Sequence, residues 1–155
     1  MTGVTRVVFD CNIFLQALMS PEGPAGRCMQ LAMDGAVLLF ISPTVLEELR
    51  GVTSRPKVTV KLKLAAERVR EFLETIAIAA TVIDRFPEPL VYAHDPDDAH
   101  YVNLALAADA KLIVSRDRDL LDLMDLSRPE AVEFQRRFPA IRILDPVRFL
   151  GEIEL

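Results

Sequence analysis

The 155-residue sequence is poor in metal-binding and cross-linking side chains, with two cysteines, Cys11 and Cys28, and two histidines, His94 and His100. Two thiols cannot build a disulfide framework or, on their own, a zinc site. The histidines are six apart, a spacing that does not bring both onto one helix face. Long hydrophobic runs are missing as well. The longest unbroken apolar stretch, Ala36 to Ile41, falls far short of the roughly 20 residues needed to cross a bilayer. The opening MTGVTRVVFD has no charged segment ahead of an apolar one, so no secretory leader is expected. The chain therefore reads as a cytoplasmic protein with free thiols and no membrane contact. Glycine and proline are few, 6 and 10 residues, and mean hydropathy is +0.24, which argues against intrinsic disorder. A basic excess is also lacking. The chain has 18 Lys+Arg against 23 Asp+Glu, for a net charge of −5, which disfavours a protein that coats nucleic acid.

What is present describes one globular unit. Half of the residues, 51%, are hydrophobic and 26% are charged. At this length roughly 70% of the unfolded surface can be buried, so the core needs no covalent staple. Short β-rich runs alternate with helical patterns, which predicts a mostly parallel sheet of about five strands covered on both faces. Val7-Val8-Phe9 is apolar throughout, as a strand buried on both sides should be. Leu38 to Ile41, Thr81 to Ile83, Leu112 to Val114 and Ile141 to Leu144 are the other candidate strands. Helices are expected over about 12–19, 24–34, 43–52, 57–79, 96–109, 129–137 and 145–150. Ser42-Pro43 and Asp95-Pro96 each place a capping side chain before a proline at the first helical position.

The charge is unevenly distributed. Between Arg50 and Arg70 seven basic residues (Arg50, Arg55, Lys57, Lys61, Lys63, Arg68 and Arg70) face one acid, Glu67, a local +6. From Arg85 to Asp98 the balance is −3. Such a basic run is most often a solvated helix face; contact with an RNA backbone, through Arg55, Lys57, Lys61 and Lys63, is its functional reading.

Four acids fall at or near strand ends, where open α/β sheets bind ligands. Asp10 ends the first strand, and Asp117 follows the strand Leu112 to Val114. Glu48 borders the apolar stripe of Val45, Leu49 and Val52, whereas Glu47 points to the opposite side and reads as a solvated acid. Asp98 and its neighbour Asp97 open a helix that is apolar around most of its circumference, so periodicity does not rank the two. Each acid also has a structural reading: Asp10 as a helix cap, Asp98 as a favourable charge in a first helical turn, Glu48 as a half-exposed surface residue, Asp117 and Asp119 as turn formers. Gathered together, however, carboxylates repel one another unless protonated or neutralised by a cation. An all-oxygen donor set suits Mg2+ or Mn2+, and such an ion suits phosphodiester hydrolysis.

Five segments in order carry a family resemblance: Val7-Val8-Phe9-Asp10-Cys11-Asn12, Gly23-Pro24-Ala25-Gly26-Arg27, Val45-Leu46-Glu47-Glu48-Leu49-Arg50, Asp95-Pro96-Asp97-Asp98-Ala99, and Val114-Ser115-Arg116-Asp117-Arg118-Asp119-Leu120-Leu121. The sequence resembles PIN-domain proteins, in particular the toxin components of toxin–antitoxin pairs that are similar to VapC-type ribonucleases. The resemblance implies a single PIN-like domain over residues 1–155, a three-layer α/β/α sandwich with an acidic, Mg2+- or Mn2+-binding pocket that cuts single-stranded RNA. It assigns Asp10, Glu48, Asp98 and Asp117 as catalytic metal ligands and Asn12, Ser115 and Asp119 as supporting residues. It also implies a cognate antitoxin and a homodimer. Cys11 departs from the Thr or Ser usual between the Asp and Asn, and a thiol is the poorer hydrogen-bond donor. The stretch from about Ser127 to Phe138 is longer than the family leads one to expect, and reads as a lid or dimer surface.

Two other functions compete. A haloacid-dehalogenase-type phosphatase would use Asp10 as a covalent nucleophile, but Asn12 stands where that family has a second Asp. A non-catalytic PIN-like binding module would keep the fold without the metal. Gly23 to Arg27 lacks the Lys-Ser/Thr ending of a phosphate-binding loop, and His94, His100, Cys11 and Cys28 read as packing or surface residues.

Overall fold

The computed structural model describes residues 3–61, 65–85 and 96–154, except for the side chains of Lys61, Pro96, Asp97 and Asp98. In chain order the elements are β1 (Thr5–Phe9), α1 (Cys11–Met19), α2 (Pro24–Met33), β2 (Val37–Ile41), α3 (Pro43–Thr53), α4 (Pro56–Lys61), α5 (Ala66–Ala79), β3 (Ala80–Val82), α6 (Pro96–Ala107), β4 (Leu112–Val114), α7 (Arg118–Leu121), a 3-10 turn (Asp122–Met124), α8 (Pro129–Arg137), β5 (Arg142–Leu144) and α9 (Pro146–Ile153). The five strands form one parallel sheet in the order β3-β2-β1-β4-β5.

Consecutive strand residues point to opposite faces, and Val7, Val8 and Phe9, like Leu112, Ile113 and Val114, are all buried. Both faces of the sheet are therefore covered by helices, as the α/β/α reading requires. β1 pairs with β2 from Thr5 opposite Val37 and with β4 from Val7 opposite Leu112. The order of the strands reverses between β1 and β4, so the crevice at their carboxyl ends is where such a fold binds ligands.

Local chemistry fixes the entry and exit of each helix. Asp10, Ser42 and Asp145 accept from the amides of Ile13, Val45 and Arg148 at 3.0, 3.2 and 2.8 Å, capping α1, α3 and α9. Gly35, at φ +75°, ends α2: its amide donates to Ala32 and that of Ala36 to Leu31, a closure that requires the left-handed conformation. Gly26 lets α2 approach the preceding turn so closely that an added Cβ would overlap the Pro21 carbonyl.

Two sequence expectations change. The helix anticipated over 57–79 is two helices, with Ala65 extended at φ −73°, ψ 140° before α5. The start of α5 is set by tertiary contact: Val69 packs with Leu18, and Arg68 Nη2 donates to the Leu18 carbonyl at 2.8 Å. Helix α7 and the 3-10 turn were not anticipated; Asp117 caps the former, accepting from the Asp119 amide at 3.0 Å. The 127–138 stretch carries helix α8 and is tied to the body of the protein. Ala131 and Phe134 of α8 are buried, Gln135 donates to the Leu123 carbonyl at 3.0 Å, and Arg128 lies within 3.4 Å of both Asp122 and Asp125. The cap expected at Asp95 lies outside the described residues. Among the described residues no helix is long and apolar enough to cross a membrane.

Candidate metal centre

Asp10 is the first residue beyond β1, and its position is over-determined. Its amide donates to the Val114 carbonyl at 3.1 Å, tying it to the end of β4. Its carboxylate accepts from the Ile13 amide through Oδ1 and from the Ser115 hydroxyl through Oδ2. The capping reading of Asp10 is thus correct, yet it does not exclude function, because the same carboxylate lines a cavity of about 990 Å³. Ser115 is fully buried just after β4, and its oxygen also accepts from the Asp117 amide at 2.9 Å. A single hydroxyl therefore links the two acids that follow the two central strands.

Burial raises the Asp10 carboxyl from 3.8 to about 6. The hydrogen bonds from Ser115 and Ile13 oppose that rise, and the nearby charge of Asp117 adds to it. Among the described residues neither Asp10 nor Asp117 forms an ion pair. A buried carboxylate beside a second one, without a cationic side chain to neutralise either, is a donor set that a hard divalent cation fits. Among the described residues no three Asp, Glu, His or Cys side chains converge closely enough to hold a metal by themselves. Mg2+ typically takes one or two protein carboxylates and completes its shell with water and substrate phosphate, so the arrangement still suits it.

Glu48 lines the same cavity from α3, half-exposed, and Glu47, expected on the opposite side of the helix, is exposed but also reaches the cavity wall. Its Oε1 lies 3.2 Å from His100 Nε2, and its Oε2 accepts from the Tyr101 hydroxyl at 3.3 Å. Asn12 is exposed on the cavity wall, and Asp119 is exposed at the start of α7. Asp98 is in the first turn of α6, and its side chain lies outside the described residues, as does that of Asp97. Of the basic residues, Arg55 lines the cavity and Lys57 is exposed on α4. The side chain of Lys61 and the whole of Lys63 lie outside the described residues.

Residues first read as packing or surface prove to line the cavity. Cys11 and His100 do so, together with Tyr101, which the sequence did not single out. The Cys11 thiol is pushed up to about 12 by burial and by the charges of Glu48 and Asp10. The Cys11 amide, at the start of α1, donates to the Tyr101 hydroxyl at 2.9 Å. The available signal was the i, i+3 spacing of Asp98 and Tyr101 in the sequence.

The sequence profile of the PIN domain matches residues 6–119. MJ1680 of Methanocaldococcus jannaschii, described as an uncharacterised protein, is 28% identical over 120 residues, covering 77% of this chain and 76% of that protein. Among solved structures, VapBC2 from Rickettsia felis bound to a DNA fragment from their promoter aligns with a TM-score of 0.55 at 15% identity, over 91% of this chain and 98% of that chain. At that identity the likeness is one of fold.

Proposed function

Because the chain belongs to the PIN domain family, whose members are generally nucleases using divalent metal ions, we propose that it is a Mg2+- or Mn2+-dependent endoribonuclease acting on single-stranded RNA. The observation that carries the reading is the linkage of Asp10 and Asp117 through Ser115, in an open cavity at the sheet's switch point. Asp10 and Asp117 would hold the ion, and Glu48 with Asp98 would reach it through its shell of water. When bound, it supplies Lewis acidity, drawing off the charge that develops on the phosphate during hydrolysis. Ser115 would keep Asp10 and Asp117 in fixed relation, with Asn12 at the cavity wall and Asp119 in the first turn of α7 as supporting polar groups. Arg55, at the cavity wall, with Lys57, Lys61 and Lys63, meets the RNA backbone as point charges, giving affinity without sequence preference.

The toxin reading follows from the sequence resemblance. A cognate antitoxin would fill the acidic groove with a chain segment whose basic side chain replaces the cation, and the toxin itself would form a homodimer. The phosphatase alternative loses its support, since it rested on Asp10 alone and Asn12 occupies the place of its acid/base. Incubating the purified protein with single-stranded RNAs tests the proposal. Cleavage with Mg2+ or Mn2+, its absence in a chelator, and its loss in Asp10→Asn are expected; equal cleavage by that variant overturns the assignment, and a chain that binds the ion and RNA without cutting is a binding module.

A further inference from the structure

We propose that the Tyr101 hydroxyl is a positioning group that sets Glu48 in register with Asp10 for cation binding, an inference that rests on the nuclease reading above. The phenol oxygen sits where three helices meet. From α1 it receives the Cys11 N–H at 2.9 Å, and toward α3 it faces Glu48 Oε2 at 3.3 Å, while its ring belongs to α6. A phenol carries a single proton. With the amide hydrogen pointing into the oxygen, that proton goes to the Glu48 carboxylate, so both hydrogen bonds have a fixed direction.

Cys11 is the first residue of α1, whose opening amides have no partner within the helix. Tyr101 satisfies one of them from another element, and the residue before that amide is Asp10. The hydroxyl therefore spans from the backbone carrying one acid to the side chain carrying another. The ring is held in place: Tyr101 is only 6% exposed, and His100 lies against it with ring centroids 4.0 Å apart. His100 Nε2, 3.2 Å from Oε1, engages the other oxygen of Glu48, so the carboxylate is gripped at both ends. Groups that orient metal ligands in this way typically change metal affinity by about 10–100-fold when removed.

Tyr101→Phe keeps the ring and deletes the hydroxyl. Calorimetric titration of the full chain with Mn2+ should give binding about 10–100-fold weaker in the variant than in the wild type, and amide exchange at Cys11 should accelerate. A purely structural tyrosine would lower the melting temperature and leave the Mn2+ affinity unchanged, and that result overturns the proposal. A wild type that binds no Mn2+ overturns the nuclease reading itself, and this inference with it. Should Tyr101→Phe fail to fold, 3-fluorotyrosine incorporation keeps the hydroxyl, and a Tyr92→Phe background assigns the 19F signal. That signal should shift as Mg2+ saturates the wild-type site, and a signal unmoved by bound Mg2+ counts against the assignment.

Discussion

Replacing Asp10 with Asn should make the cation-free protein more stable. Burial raises the Asp10 carboxyl from 3.8 to about 6, and a tenfold change in proton affinity corresponds to about 1.4 kcal/mol. Below its ordinary value the carboxyl is protonated in both the folded and unfolded chain. Between about 4 and 6 the folded chain retains a proton that the unfolded chain has lost, so stability falls as pH rises through this window. Above about 6 the full cost, of order 3 kcal/mol, is present. Asparagine carries no charge and remains a good helix cap for the Ile13 amide. It accepts less well from Ser115, which takes back about 1 kcal/mol. The net gain is about 1–3 kcal/mol, and for a chain of this length about 3–9 °C in Tm. Thermal denaturation with a chelator should show the variant ahead at about pH 8 and level with the wild type at about pH 4. Saturating Mg2+ should reverse the order, since a ligand at about 1,000 times its Kd adds about 4.1 kcal/mol to the form that binds it. A variant less stable than the wild type at high pH without the cation, or a difference independent of pH, would refute the reasoning.

Ser115→Ala removes the hydroxyl joining Asp10 to the Asp117 amide; Mn2+ affinity measured by calorimetry should fall about 10–100-fold, and the Asp10 carboxyl, deprived of a donor, should titrate higher still by NMR. Arg55→Ala, at the cavity wall, should weaken binding of single-stranded RNA about equally across sequences and reduce the salt dependence by about one counterion. Gly26→Ala forces a Cβ into the Pro21 carbonyl and should cost about 1–3 kcal/mol in chemical denaturation. Phe134→Ala removes the buried anchor of α8 and should cost about 3–5 kcal/mol.

Much of the scaffold was legible because it is encoded locally. Val7-Val8-Phe9 could only be a strand buried on both faces, and Ser42-Pro43 marked the start of α3 at the right residue. The acids were legible for a related reason: Asp10 directly follows a strand pattern and Asp117 stands three residues past another, and topology then brings strand ends together. What escaped detection depends on contacts distant in sequence. No glycine or proline separates α4 from α5; the break comes where α5 docks against Leu18. Tyr101 looked like one more apolar position on a helix hydrophobic around most of its surface, and its hydroxyl gained meaning only when the fold set it against Cys11 and Glu48, 90 and 53 residues away.

The central claim is that the acids at the end of β1 and β4 form a divalent-cation site. Anomalous diffraction from crystals of the protein soaked in Mn2+ tests it most directly. The account predicts a peak bounded by Asp10 and Asp117, with Glu48 and Asp98 directed toward it, that disappears in Asp10→Asn. An empty cavity at saturating Mn2+, or a peak that persists unchanged in that variant, would contradict it.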